Sequence, residues 1–520
     1  MAKSASYNVH ADRPAPLFVH PSDLAVQTLV RLPLPIIEGN KDYQDKENLL
    51  RRMDQILECS GVETAFMKAS VALARADADV TAQALTDRMR ESVQQHARQA
   101  LRCTIARILS NESHRKFSVH LAESPLLQWF CGLKFEGIIR VPSKSTVQRM
   151  ESEVPADIIQ DLHVLLLKRA VAVDKNGVSV IGLADPIDLS LIWMDSTCAK
   201  LDIHYPADWI LLRDATRTIM KAIVTIRSHG LVHRMPAPER FIADMNALCM
   251  AMSGSSRRGR GTDKKRARKR VLRGMKTLVG KVRKHGQRYR DMLEKSWSET
   301  DLSERQAQRI TSRIDGILEQ LPAAIKQAHE RIIGERVVAS DDKLLSFYQP
   351  HAQVYVRGKA GADVEFGLQL LISESAEGLI VDGHLVEKIA NDSMLLMPAI
   401  ERMRKAYGDT VACTVVTDRG FASAKNDAEL NGKNINNATM PRNPDEMKKR
   451  LSDPMHRRLH RRRAQTEARI GVFKSSFLGD HLPTKDFESQ QRYIAWATLS
   501  HNLWVLARLN MADAAIVNKG

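Results

Sequence analysis

The stretch His460-Arg-Arg-Arg-Ala-Gln-Thr-Glu-Ala-Arg-Ile-Gly-Val-Phe-Lys474 sets a single acid, Glu467, in a run of arginines that closes on a lysine. No proline or β-turn pair interrupts it, and Ala464, Ile470, Val472 and Phe473 are spread among the charges, so the pattern predicts a helix. On that helix Arg463 lies four residues before Glu467 and Lys474 seven after it, which puts all three on one face. A carboxylate flanked by cations suits a group that holds a divalent metal beside a polyanion. The same residues would also make a solvated basic helix with an ordinary i,i+4 ion pair. Other parts of the chain bear on the choice.

Ser190-Leu-Ile-Trp-Met-Asp195-Ser-Thr197 is a short apolar run that ends on an acid and hydroxyls, and Thr414-Val-Val-Thr-Asp418-Arg-Gly-Phe421 repeats the pattern with a glycine turn. Both read as buried strands that present a carboxylate at or near their C-terminal ends, where acids of an α/β sheet can converge on one site. Asp195, Asp418 and Glu467 together offer hard oxygen ligands for a pair of Mg²⁺ ions. Two such ions about 4 Å apart clamp the attacking and leaving oxygens of a phosphodiester.

With these residues in view, the chain resembles the bacterial insertion-sequence transposases of the DDE type, in the group whose acidic helix carries Tyr-x2-Arg-x3-Glu-x6-Lys. Here the signature reads His460-x2-Arg463-x3-Glu467-x6-Lys474, with His460 in place of the tyrosine. Asp195-Ser-Thr followed by Ile203-His-Tyr-Pro-Ala-Asp208 is similar to the family's first-Asp block, and Thr417-Asp-Arg-Gly-Phe421 to the second. Arg357-Gly-Lys359 and Val364-Glu-Phe-Gly367 resemble the strands between them.

The resemblance covers roughly residues 120–505. It implies an RNase H-like catalytic core of the α+β or α/β class, with Asp195, Asp418 and Glu467 as catalytic metal ligands. It also implies two Mg²⁺ ions (Mn²⁺ able to substitute), contacts from His460, Arg463 and Lys474 to DNA, and a homodimer that holds two element ends. The expected partners are duplex DNA at terminal inverted repeats and at the target, in the bacterial cytoplasm and at the nucleoid.

Charge points the same way. Lys and Arg number 78 against 61 acids, a net +17, with a pI near 9.6, which favours a polyanionic partner. No apolar run approaches transmembrane length and no signal-peptide core is visible, so no membrane partner is expected. Six scattered cysteines, without a CxxC pair, read as reduced cytosolic thiols; Cys198, close to Asp195, reads as a packing residue.

In chain order, residues 1–120 predict a helical N-terminal region, and residues 121–180 a helix-turn-helix-like one. There Val141-Pro-Ser-Lys144 enters a short helix bearing Lys144, Gln148 and Arg149, suited to base edges; a capped surface helix would show the same residues. Residues 181–510 are expected to form the catalytic domain, with a helical insertion at 208–339. Inside the insertion, Arg257–Arg290 holds sixteen Lys or Arg against the single acid Asp263. Lys264, Lys265, Arg266 and Arg268 are its expected phosphate contacts. The apolar stripe Ile310–Ile332 predicts a coiled-coil hairpin. Strands are expected at Gln353–Val356, Glu365–Ile372, Leu379–Asp382 and Asn434–Met440, and the aromatics of Asp486–Asn510 as core. Asp382 is the next acid in line for the site.

The function that follows is a DNA transposase using a two-metal mechanism. The alternatives are a catalytically silent, transposase-derived DNA-binding protein or repressor, and a stand-alone RNase H-like nuclease.

Overall fold

The computed structural model describes residues 34–79, 86–133, 138–203, 207–255, 261–339, 342–359 and 362–511. The first 33 residues, His204-Tyr-Pro206 and Arg257, Arg258 and Arg260 of the basic stretch lie outside the described residues. The fold is mixed α/β with one mixed sheet, and the chain divides into two compact units. The first comprises residues 1–199, 369–386 and 390–520, and the second 200–368 and 387–389.

The first unit begins with helices. α1 (Lys41–Cys59), α2 (Val62–Asp79), α3 (Asp87–Ser110), α4 (His114–Glu123), α5 (Pro125–Phe130), α6 (Lys144–Ser152) and α7 (Ala156–Val171) follow one another. Several start on a hydroxyl that accepts from the N3 amide: Thr86 from Met89, Ser113 from Lys116, Ser124 from Leu127 and Ser143 from Thr146. Arg102 of α3 is almost wholly buried and ties this layer together, donating to Glu63 (2.6 Å), Asp54 (2.7 Å) and the Phe130 carbonyl (3.0 Å).

The strands are β1 (Leu191–Lys200), β2 (Gln353–Lys359), β3 (Ala362–Glu374), β4 (Ile380–Val386), β5 (Thr414–Val416) and β6 (Asn436–Asn437). They run in the order β2-β3-β1-β5-β6, with β4 also paired to β3. β5 lies parallel to both β1 and β6, and β4 antiparallel to β3. The strand expected over Asn434–Met440 shrinks to two residues, because the chain turns to meet the next helix.

The rest of the first unit comprises α12 (Asp392–Tyr407), α13 (Ala424–Gly432), α14 (Pro444–Ser452), α15 (Pro454–Val472), which passes into a π-helical turn at Phe473–Leu478, and α16 (Phe487–Leu506). Tyr493 and Trp496 of α16 are core, as expected, and Phe487 and Trp504 are half-buried. From Tyr493 to Leu503 the helix is buried on every side, and Asn502 and Trp496 carry hydrogen bonds to neighbouring elements. Asn502 acts as a strand partner for the first residue of β4: its amide group donates to the Ile380 carbonyl (2.7 Å) and its oxygen accepts the Ile380 N–H (2.8 Å). Trp496 donates to the Glu151 carbonyl of α6 (3.1 Å), so α16 joins the N-terminal helices to the sheet.

The second unit holds β2, the first half of β3 and four long helices: α8 (Asp208–Ser228), α9 (Pro238–Ser255), α10 (Gly261–Ser296) and α11 (Glu304–Ala328). The coiled-coil hairpin expected at Ile310–Ile332 is not what forms. α11 packs against both α8 and α10, and α9 closes the group, around a shared core that includes Ile219, Ile223, Met275, Val279, Val282, Ile314, Ile317 and Leu321. An apolar stripe specifies that a face is buried, and two partners bury a wider face than one. Gly286 permits the closest approach: a Cβ there would meet Ile219 at 2.8 Å.

Candidate active site on one sheet face

The parallel pairing of β1 with β5 matches Leu191 to Thr414 and Trp193 to Val416. Carried on by two residues, that register brings Asp195 level with Asp418. Asp195 sits in the middle of β1 rather than at or near its C-terminal end as expected, since the strand continues to Lys200. Its neighbour β5 stops at Val416, and the gap beyond that end opens the site. Asp195 accepts its own next amide, Ser196 N–H, at 2.9 Å.

Asp418 accepts the Gly420 amide at 2.8 Å, in a turn held from below by the buried Phe421 and by a Thr417–Thr439 hydroxyl bond of 2.9 Å. Any larger residue at Gly420 would have to displace a carboxylate. A Cβ there would lie 2.9 Å from Asp418 Oδ1 and 3.0 Å from Asp392 Oδ2. Asp392, in the first turn of α12, is therefore a fourth carboxylate beside the site. It accepts from Gln369 (3.1 Å) and bonds the Ser196 side chain.

The third acid comes from α15, whose docking follows from its sequence. Arg462, Thr466 and Arg469, at i, i+4 and i+7, form one face, and that face closes on the buried carboxylate of Glu374 at the end of β3. Glu374 accepts from Thr466 (2.7 Å) and Arg462 (3.1 Å), with Arg469 at 3.7 Å. Arg462 also donates to the carbonyls of Ser375 and Ala376 and stacks its guanidinium 3.8 Å from the Trp193 ring centroid. Trp193 in turn donates to the Leu459 carbonyl (3.1 Å). With that face fixed, Arg463 and Glu467, one residue further round, must face Asp195 and Asp418.

The result is a guanidinium at the centre of three acids. Arg463 Nη2 lies 3.6 Å from Asp195, 3.7 Å from Asp418 and 3.7 Å from Glu467. Burial, with Asp418 and Glu467 nearby, raises the Asp195 carboxyl to about 6 even though Arg463 and the Ser196 amide pull the other way. Burial and Asp418 also raise Asp392.

These oxygens have the hard-donor character that Mg²⁺ takes. Among the described residues, however, no three acidic, His or Cys side chains stand close enough to enclose an ion directly. Arg463 faces all three acids and offsets one unit of their charge.

Lys474 reaches the same strand by a different route from the one its spacing implies. It lies past the end of α15, in the π-helical turn, and its ammonium donates to Thr197 at 3.2 Å, two residues along β1 from Asp195. His460, expected at DNA, instead turns inward to the Ala438 carbonyl (2.8 Å), and burial with His456, Arg463 and Arg450 nearby lowers its ring to about 4. Asp382 is not brought to the site either, being ion-paired to Arg402 of α12 at 2.6 Å.

At 121–180, where a helix-turn-helix-like region is expected, the chain forms α5, α6 and α7. Thirteen residues, 131–143, separate α5 from α6, where such a motif uses a three- to four-residue turn. α6 packs on α3 and α4, burying Val147 and Met150, and leaves Lys144 and Gln148 exposed and Arg149 half-exposed. In the second unit Lys265 and Arg266 are exposed and Lys264 and Arg268 half-buried; Lys265 is paired to Glu335 at 2.7 Å. Glu374, Asp392, Arg462 and Thr466 escaped the sequence reading.

Residues 333–503 match a family model described as the transposase DDE domain, a span that includes Asp418 and Glu467 and begins after Asp195. No curated protein and no solved structure matches the chain.

Proposed function

We propose that this chain, a DDE transposase of insertion-sequence type, cuts and rejoins DNA at Asp195, Asp418 and Glu467. The observation that carries the reading is the meeting of these three acids, from two strands and a helix, around Arg463 Nη2 at 3.6–3.7 Å. The parallel β1-β5-β6 arrangement beside β3, with the third acid on a following helix, supports an RNase H-like core.

The three carboxylates would hold divalent ions, two Mg²⁺ or Mn²⁺ in their place. Bound there, such ions stabilise the charge that builds on phosphate oxygens. Arg463 then has two duties in sequence. It bridges the acids in the free protein, and its fork would be free to meet a phosphate if cations took over that role. Lys474, beside Thr197, contributes a point charge to the same phosphate. Water attacks the phosphodiester at the element end, and the 3′-hydroxyl released there attacks target DNA. Lys144, Gln148 and Arg149 on α6 would contact the terminal inverted repeat, and His460, turned onto Ala438, would act on DNA by fixing the start of α15. A homodimer would hold the two ends together.

The test is Mg²⁺-dependent nicking of a duplex carrying the element's end. Asp195→Ala, Asp418→Ala and Glu467→Ala should each lower it by at least about 10³-fold, and double variants should be scarcely worse, since the acids act as a unit. End binding should be retained. A single variant that cuts at the wild-type rate removes that residue from the site.

A further inference from the structure

We infer that α10 of the second unit is a phosphate rail for about one turn of duplex nucleic acid, formed by Arg266, Arg270, Arg273, Lys281, Lys284 and Arg288. The inference rests on the transposase reading above and assigns a different set of contacts from those the sequence suggested. The six fall at i, i+4, i+7, i+15, i+18 and i+22. At 3.6 residues per turn they occupy a stripe about 80° wide and about 33 Å long, close to the roughly 34 Å repeat of a B-form duplex.

All six are exposed, and Thr277 and Gly280, which fill the gap in the stripe, are exposed too. Among the described residues none of the six has an acidic partner. The stripe carries no acid between Asp263 at one end and Asp291 at the other. The neighbouring cations are different: Lys265 and Lys269 are both paired to Glu335 (2.7 and 2.8 Å), and Arg290 to Asp315 (2.9 Å). The sequence ranks all of these alike, and the fold separates the neutralised ones from the free ones.

A straight stripe of unneutralised charge along a rigid rod suits a polymer with a line of phosphates. An anionic bilayer is the other surface such a stripe could meet, but helices that bind bilayers do so with an apolar face. That face of α10, Leu272, Met275, Val279, Val282, Tyr289 and Leu293, is already buried against α8, α9 and α11.

The test uses the full chain with a random-sequence duplex of about 30 base pairs over a salt series. With six phosphate contacts, wild-type affinity should fall roughly 10³-fold between about 50 and 200 mM salt. Replacing all six residues with Gln should reduce the slope of log affinity against log salt by about 5, and replacing only Arg270, Arg273 and Lys281 by about half as much. Lys265→Gln/Lys269→Gln should keep the wild-type slope, since Glu335 already occupies those ammonium groups.

Thermal melts should match the wild type, because the substituted side chains are exposed. A six-residue variant that keeps the wild-type slope overturns the rail. So does a variant that loses affinity for phosphatidylserine vesicles but not for DNA. If the rail variants keep the slope while Glu467→Ala abolishes nicking, only the rail fails; a wild-type chain that does not nick DNA with Mg²⁺ fails the transposase mechanism first.

Discussion

In α15 the arginines at 462, 463 and 469 turn inward onto Glu374 and the three site acids, whereas in α10 Arg266, Arg270, Arg273, Lys281, Lys284 and Arg288 turn outward. Both helices are rich in cations, arginines alone in α15 and arginines with lysines in α10, and each has few acids of its own. The difference lies in what the rest of each unit brings to them. Strands β1, β3 and the end of β5 deliver carboxylates to α15, while α8, α9 and α11 deliver mainly apolar side chains to α10. A run of cations therefore organises an active site when acids from elsewhere converge on it, and stays free for an external polyanion when they do not.

The sharpest way to break this comparison is to remove the acid that turns α15 inward. Glu374→Ala leaves Arg462 and Arg469 facing a buried void and Thr466 without its acceptor. Removing one partner of a buried charge cluster costs about 3–5 kcal/mol, so the urea midpoint should drop accordingly, and nicking should fall with it as Arg463 and Glu467 lose their orientation. A loss under about 1 kcal/mol would mean that Trp193 and Leu459 alone dock the helix.

A smaller effect is expected from Arg463→Lys. The ammonium keeps the charge but is a point, and it cannot offer a planar fork to a phosphate. Duplex affinity should change little, and nicking should fall by about 10²-fold through misplacement of the reacting groups. Wild-type nicking would show that Arg463 serves only as a counter-charge.

How much of this was legible beforehand depends on the range of the interactions. Arg463 and Glu467 are one turn apart, so their common face follows from spacing, and the apolar runs before Asp195 and Asp418 mark both as strands. The Glu374 clamp joins residues 88 and 92 positions apart, and no local pattern announces it. Asp392 looks like any acid in the first turn of a helix, where it would offset the dipole; only the turn at Gly420 brings it against Asp418. The π-helical turn that carries Lys474 changes its angular position by an amount that α-helical spacing does not anticipate. The stripe at Ile310–Ile332 gave burial correctly and its partners wrongly, because periodicity on one helix says nothing about how many neighbours cover it.

The smallest effect tests the inward side of the comparison through protons. His460 of α15 sits among Arg450, Arg463 and His456 and donates to Ala438, and burial together with those neighbours holds its ring at about 4. On α10, burial with His233 and Arg288 lowers His285 as well. In the unfolded chain a histidine ring titrates near 6.5. Between those two values the unfolded chain binds a proton at position 460 that the folded chain refuses, so the stability due to the depressed ring is fully present above about 6.5 and is lost as pH falls toward 4. His163 and His501, also at about 4, contribute with the same sign. The His460 share must therefore be read as a difference. Between pH 6.5 and 4 the unfolding free energy of His460→Gln should decline less steeply than that of the wild type. Ring NMR of the wild type should show His460 neutral until about pH 4. A His460 resonance that titrates near 6.5 would mean that the ring is solvated, and that the start of α15 faces outward as α10 does.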